Sequence, residues 1–200
     1  MTYFFWNSNR KKKKEQEVSA RQTAPAPGSE ELHLENVHQG GVIRLINVGE
    51  NMDEYDVNIT ARHVYRSDDA EWYELEGDSG TDTVWISLEE DDGLDVSLTL
   101  RKLKLRDLGI SRNDLDDMDE KGEGEFEFEG KIYYYEGSEE VSFFRNGNVS
   151  ESNEEFFYAW EFESEDAASY ISIEEWRDKS IEVSLAHPLK ESQVQVYSLR

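Results

Sequence analysis

The chain has 200 residues, no cysteine and a formal net charge of −25, from 46 acidic and 21 basic residues. The lack of cysteine excludes a disulfide scaffold, a thiol nucleophile and a cysteine-ligated zinc site. The acidity disfavours nucleic acid phosphates as partners, and no apolar run approaches the roughly 20 residues that span a bilayer.

The first 30 residues have the composition of a disordered tail and linker. The tail carries three neighbouring aromatic residues and then a basic run: Phe4, Phe5, Trp6, Arg10, Lys11, Lys12, Lys13 and Lys14. Aromatic side chains favour the membrane interface, and basic ones are attracted to anionic lipid. We therefore expect the tail to contact an anionic membrane surface; the alternative is a solvated tail. An aromatic group before a basic run reverses the order of a signal peptide, so we predict a cytoplasmic protein, peripheral at the inner membrane face.

Alternation of apolar and polar residues predicts strands in two long segments, a first β module over 31–108 and a second over 122–200. The strand-like stretches lie near 41–45, 55–60, 72–76, 85–88, 94–98, 125–129, 132–135, 141–144, 156–162, 170–173, 181–185 and 194–199. Between the modules, residues 109–121 are polar and predict a connector with one short helix capped by Ser111.

The two modules share a repeated phrase. "WISLEEDDGLDVSL" begins at Trp85, and "YISIEEWRDKSIEVSL" begins at Tyr170. Glu74 and its neighbours match the segment around Glu161 in the same order. We expect a tandem duplication; the alternative is convergence, since alternating strands resemble one another. The predicted fold is all-β, with two internally similar antiparallel modules, barrel-like or sandwich-like, packed together behind a disordered tail.

The apolar positions of the alternating stretches predict the core. It consists of Tyr73, Leu75, Ile86, Leu88, Val96, Leu98, Phe126, Phe128, Trp160, Phe162, Ile171, Ile173, Val183 and Leu185. A one-residue slip in register would move each of these side chains to the other face of its strand.

The opposite faces of the repeated strands carry the best candidate site. Each presents an aromatic residue, a serine and a glutamate: Trp85, Ser87 and Glu89 in the first module, and Tyr170, Ser172 and Glu174 in the second. An aromatic ring beside a carboxylate suits a cation, through cation–π attraction and charge pairing. The alternative is an aromatic core residue followed by a glutamate that emerges at the strand end.

Several stretches resemble the bacterial domain-of-unknown-function family 4178. They are "EWYELEGDSGTDTVWISLEED", "RDLGI", "DEKGEGEFEFEGKIYYYEGS" and "YISIEEWRDKSIEVSL". The resemblance implies a β-rich protein without known activity, whose relatives occur near membrane-stress proteins of the phage-shock type or polyamine-synthase-like genes. It supplies no catalytic residues.

We therefore expect a non-catalytic binding or adaptor protein at the cytoplasmic membrane face, acting in envelope stress. Its partner would be an anionic membrane surface or a membrane-associated protein. The alternative function is a binder of small cations such as polyamines. We predict no cofactor and no metal, because none of the four histidines forms a metal-binding pair. An enzyme would need a buried carboxylate with a perturbed pKa in a cleft, and the sequence alone does not show one.

Overall fold

Eleven antiparallel strands and one α-helix form the fold in the residues that the computed structural model describes, 32–49, 51–68, 70–90 and 93–200. The strands are β1 (Val42–Val48), β2 (Asp53–Arg66), β3 (Glu71–Asp78), β4 (Thr83–Glu90), β5 (Leu94–Leu103), β6 (Glu125–Phe128), β7 (Lys131–Phe144), β8 (Glu154–Ser164), β9 (Tyr170–Trp176), β10 (Ile181–Pro188) and β11 (Val194–Ser198). The α-helix is α1 (Arg112–Lys121), and 3-10 turns span Leu34–Asn36, Leu105–Leu108, Arg145–Gly147, Glu151–Asn153 and Glu191–Gln193.

The sheet closes on itself into an eight-stranded barrel. Its strand order is β11-β1-β2-β3-β4-β5-β10-β9-β8-β7-β6, and β2 also pairs with β7. That extra pairing joins Val64–Arg66 to Ser142–Phe144 and completes a ring of β2 to β5 and β7 to β10. The remaining strands extend the sheet beyond the ring. The all-β prediction is confirmed.

Each sequence segment contributes one four-stranded meander to the barrel, and the two meanders have the same register. Glu74 pairs with Ser87 across β3 and β4, as Glu161 pairs with Ser172 across β8 and β9. The seams join equivalent strands, β2 with β7 and β5 with β10. Because each seam joins a strand of one segment to a strand of the other, the two segments share one barrel. Outside the ring, β11 from the second segment pairs with β1 from the first. Origin by duplication stays a prediction.

The apolar face of the barrel wall points outward and is covered by two outer layers. Over the first half, residues of β1 and the first part of β2 pack on Leu75, Ile86 and Leu98. Over the second half, residues of α1 and β6 pack on Trp160, Phe162 and their neighbours. All the predicted core residues are buried, except Tyr73 and Val96, which are partly buried against the first layer.

A bulge on β2 lets one long strand contribute to both the first outer layer and the barrel interior. The register shifts between Ile59 and Ala61, which inserts one extra residue. As a result Val57 and Ile59 pack in the outer layer, whereas Tyr65 faces the interior although it has the same parity. A second register shift, between Tyr135 and Gly137, does the same for β7.

The helix α1 begins after the residue that its sequence predicts as the cap. Ser111 caps it, because its Oγ accepts a hydrogen bond from the Asp114 N–H while the Asp114 carboxylate accepts one from the Ser111 N–H. Gly122 ends the helix with a positive φ of 70°, a conformation that costs glycine little. In the part of the chain described by the structure, no helix combines the length and the apolar content needed to cross a membrane.

Candidate functional site

A cavity of about 130 Å³ lies inside the barrel, and all eight ring strands contribute to its lining. Five acidic residues face it: Glu74, Glu89, Asp95, Glu161 and Glu174. The rest of the wall is made largely of aromatic residues and of the small residues serine, threonine and alanine. Because side chains alternate across a strand, the outward packing of the large apolar residues leaves these polar residues inside.

Small side chains keep the middle of the barrel open. Ser87 pairs with Ser97 across β4 and β5, and Ser172 pairs with Ser184 across β9 and β10. All four serines line the cavity. An eight-stranded barrel is just wide enough for larger side chains to fill, so these serines create the space.

Glu74 is held by a hydroxyl on the neighbouring strand. The Tyr65 hydroxyl donates a hydrogen bond of 2.6 Å to Oε2 of Glu74. Burial raises the pKa of Glu74, although the hydrogen bond from Tyr65 favours the charged form. The pKa of Tyr65 is raised in turn, first by burial and then by the Glu74 charge.

Among the carboxyl groups that line the cavity, those of Glu161 and Glu174 have the most strongly raised pKa values. Burial raises the pKa of Glu161 to about 8, against the opposing hydrogen bond of 2.8 Å from the Ser172 hydroxyl. Burial also raises the pKa of Glu174 to about 7, while nearby Lys102 opposes the shift. Both side chains keep some surface because they line the cavity, yet the barrel wall surrounds them.

Glu174 differs from the other two glutamates in its contacts. It accepts no hydrogen bond of ordinary length, and makes no ion pair, with the residues that the structure describes. The indole N–H of Trp176 is close enough to favour its charged form but has no hydrogen-bond partner of its own in that part of the chain. A buried carboxylate without a partner costs folding free energy, and a proton or a cation that neutralises it removes this cost.

An aromatic cluster fills one region of the interior. Tyr65 stacks on Trp72 with ring centroids 5.4 Å apart, and Phe157 lies 4.8 Å from Trp176. Tyr65, Trp72 and Phe157 also line the cavity, so the open space has an aromatic wall beside its carboxylates.

His63 lies buried in the barrel, not at its surface. Its Nδ1 accepts a hydrogen bond of 3.1 Å from the Asn146 N–H, which places the ring proton on Nε2. Nε2 then donates to Glu76 over 3.1 Å. With both ring nitrogens engaged, His63 is a structural residue that fixes the turn after β7.

The two faces predicted from the repeated phrase meet in this single cavity. Its wall includes Ser87, Glu89, Tyr170, Ser172 and Glu174. Trp85 lies on the same face of β4 but outside the lining: its ring stacks on His63 at 5.8 Å, and the Lys102 ammonium lies 5.6 Å from the ring. The alternative, glutamates emerging at strand ends, does not describe Glu174. Whether the site binds a cation stays a prediction.

Glu74 and Glu161 also belong to the site, although the repeated phrase predicted only that they match each other. Alternation along the strand could have identified Glu74, because Trp72 and Glu74 lie on the face opposite the core residues Tyr73 and Leu75. Alternation could not have identified Tyr65, because the bulge on β2 switches the face on which its later residues lie.

The predicted membrane-contact residues lie outside the described residues, and that prediction stays as it is. They are Phe4, Phe5, Trp6, Arg10, Lys11, Lys12, Lys13 and Lys14. Within the described ranges, no group of three or more His, Cys, Asp or Glu side chains is arranged to hold a metal ion.

A family model described as a domain of unknown function, DUF4178, matches residues 51–191. Comparison with curated proteins and with solved structures found no significant match. The matched region runs from just before β2 to just beyond β10, and it therefore contains the whole barrel and its cavity. This chain belongs to the DUF4178 family, as the resemblance of its repeated stretches suggested.

Proposed function

We propose that the barrel interior binds a small organic cation, with polyamines as the favoured class, and that the protein is a binding protein. The observation that carries this proposal is the Glu174 carboxylate. It faces the cavity, and the described residues give it neither an ordinary hydrogen bond nor an ion pair. Taking a carboxylate out of water is costly unless an opposite charge compensates it.

Protons and an organic cation compete to neutralise the carboxylates of the cavity. Glu161 and Glu174 have a pKa of about 8 and about 7, so both take up protons near neutral pH. An ammonium group placed between them supplies the positive charge instead and favours their ionised form. Binding therefore releases protons, and the affinity for the cation increases with pH between about 6 and 9.

The aromatic wall favours an organic cation over a bare ion. Tyr65, Trp72 and Phe157 line the same cavity as the carboxylates. Aromatic faces attract ammonium groups by about 0.5–2 kcal/mol, depending on solvation. They also give methylene groups an apolar surface, which a hydrated metal ion does not use.

Titration calorimetry and thermal unfolding with spermidine test the proposal at physiological salt. A ligand at a hundred times its Kd stabilises the fold by about 2.7 kcal/mol. The variant Glu89→Gln/Glu174→Gln removes two carboxylates from the cavity, and we expect at least a tenfold loss of affinity. The matched control, Glu123→Gln/Glu127→Gln, removes two exposed charges and should bind as the native protein does.

The control is needed because a net charge of −25 attracts any polycation. Equal losses in the cavity variant and in the control would show that only the bulk field acts, and the proposed site would be rejected. An absence of spermidine binding to the native protein from pH 6 to pH 9 would reject it as well.

One observation favours a second candidate function, acid–base catalysis on the bound cation. Two neighbouring carboxyl groups with pKa values near neutrality suit proton transfer at physiological pH. Mass spectrometry of the ligand after prolonged incubation separates the two candidates. Unchanged spermidine supports binding alone, and a new product that requires Glu161 supports catalysis.

The membrane role is a separate proposal that the barrel neither needs nor supports. It rests on the aromatic and basic residues of the tail, 1–30, in a protein proposed to be cytoplasmic and peripheral at the inner membrane face. Co-sedimentation with anionic vesicles tests it, with Lys11 to Lys14 changed to Gln as the matched variant. Pelleting of the native protein that falls with added salt and with these changes is the expected result.

A further inference from the structure

We infer that the bound cation is a linear diamine or longer polyamine, with one ammonium group recognised by each half of the barrel. This inference rests on the proposed function and names its ligand class. It follows from the way in which the two meanders repeat the same polar residues around one cavity.

Each half of the barrel carries the same row of three polar residues. In the first half, Glu74 pairs with Ser87, which pairs with Ser97. In the second half, Glu161 pairs with Ser172, which pairs with Ser184. All six residues line the cavity. The inner wall therefore presents one carboxylate and two hydroxyls twice, in the same strand-to-strand order.

The strand order places the two rows on different walls. One row crosses β3, β4 and β5, and the other crosses β8, β9 and β10, with the β5–β10 seam between them. Equivalent strands also meet at the β2–β7 seam, so the ring has an approximate two-fold arrangement. A ligand with two like ends presents the same donors to both rows, whereas a ligand with one charged end satisfies one row only.

In their ionised form, the carboxylates of the cavity match more than one ammonium group. Besides Glu74 and Glu161, the lining contains Glu174, which has neither an ordinary hydrogen bond nor an ion pair with the described residues. Lys102 weakens the repulsion near Glu74 and Glu174 from one end. No positive group among the described residues contributes to the lining itself. Two ammonium groups separated by methylenes match carboxylates spread over several strands better than one charge does.

The volume of the cavity is consistent with a ligand of this class. At roughly 10–15 Å³ for each water-sized group, 130 Å³ holds about ten such groups. Cadaverine and putrescine are smaller than this, and spermidine has about this size. The methylene segment would lie along Tyr65, Trp72 and Phe157, which give it apolar contact between the charged ends.

Calorimetry with cadaverine and hexylamine tests the inference on the native protein. The two have the same number of heavy atoms, and hexylamine replaces one ammonium group by a methyl group. We expect cadaverine to bind at least tenfold more tightly. This comparison needs no variant, so it does not depend on whether a substituted protein folds.

Glu74→Gln and Glu161→Gln then test the two ends separately, with Glu127→Gln as a surface control. Each cavity variant should lose at least tenfold in cadaverine affinity, and each should bind cadaverine about as weakly as the native protein binds hexylamine. Equal binding of the two amines, or no loss in one of the two variants, overturns two-ended recognition but leaves a cation site in place. No binding of any amine to the native protein overturns the proposed function instead.

Discussion

The two faces of the barrel wall differ in composition, although every ring strand contributes to both. The outward face is apolar and buried under further strands and a helix, as Phe162 and Ile171 show with no exposed surface. The inward face combines carboxylates and serines with an aromatic cluster and surrounds the cavity, with Glu161 beside Ser172. A barrel that filled its interior with apolar side chains would need no outer layers. Here the outer layers provide most of the apolar burial that stabilises the fold, and the interior keeps a cavity.

The largest expected effect comes from the outward face. Phe162→Ala deletes a fully buried ring that packs edge-on against Phe126 at 4.9 Å, so we expect it to lower the free energy of unfolding by about 3–5 kcal/mol. Urea unfolding measures this loss. Ser184→Ala on the inward face is the matched control, with an expected change of less than about 1 kcal/mol. Similar losses at both positions would show that the interior also carries the core.

The carboxyl groups of the inward face should make the free energy of unfolding depend on pH. The pKa values of Glu161 and Glu174 are higher in the folded protein than in the unfolded chain, so the folded state binds more protons between about pH 4.5 and pH 8. Their contribution to stability is present below the unfolded value and is lost as pH rises through the folded values. We expect the free energy of unfolding to fall by about 1–3 kcal/mol from pH 5 to pH 8.

Urea titrations across this range check the sign and the source of the effect. Glu161→Gln/Glu174→Gln should flatten the decline, because amides do not titrate. Glu123→Gln/Glu127→Gln should keep the native slope, since both side chains are exposed. A native protein whose stability rises from pH 5 to pH 8 would contradict the raised pKa values.

Alternation in the sequence was enough to predict the strands, their buried faces and the pairing of like faces in the two segments. It predicted that Ile86 and Ile171 are buried and that Ser87 shares a face with Glu89. Alternation distinguishes two faces but does not say which one a closed sheet encloses. An outward apolar face needs covering layers, and the sequence did not identify β1, β11 or α1 as those layers.

The cavity was predictable only in part for the same reason. Glu89 and Glu174 were chosen because they repeat, and the repeat reflects equal positions in the barrel. The contact between Tyr65 and Glu74 depends on the β2 bulge, which no residue pattern marks. The approach of Lys102 to Glu174 depends on the β5–β10 seam, which joins residues far apart in the chain.

A smaller effect should separate the two outer layers. Over the second half, α1 is tied to the wall by Asp119, whose carboxylate accepts hydrogen bonds from the Tyr135 hydroxyl at 2.9 Å, the Tyr158 hydroxyl at 3.0 Å and the Ser138 hydroxyl. Asp119→Asn replaces an acceptor of three hydrogen bonds by an amide, and we expect a loss of about 1–2 kcal/mol. Asp117→Asn on the exposed side of α1 should change stability little. Equal stabilities of the two variants would show that the hydrogen bonds to Asp119 do not hold the helix in place.

The smallest expected effect concerns the start of α1 and asks whether this outer layer can loosen without disturbing the cavity. Over the first half the cover is held by strand pairing of β1 with β2 and β11, whereas α1 depends on its cap, Ser111. Ser111→Ala removes the oxygen that accepts the Asp114 N–H and should cost about 0.5–1 kcal/mol, and Ser111→Gly only a few tenths. Hydrogen exchange should then become faster at the first amides of α1, while spermidine affinity stays at the native value because no residue of α1 lines the cavity. A matching loss of affinity in Ser111→Ala would show that the helix holds the inner wall in shape, and the two faces would have to be treated as one coupled unit.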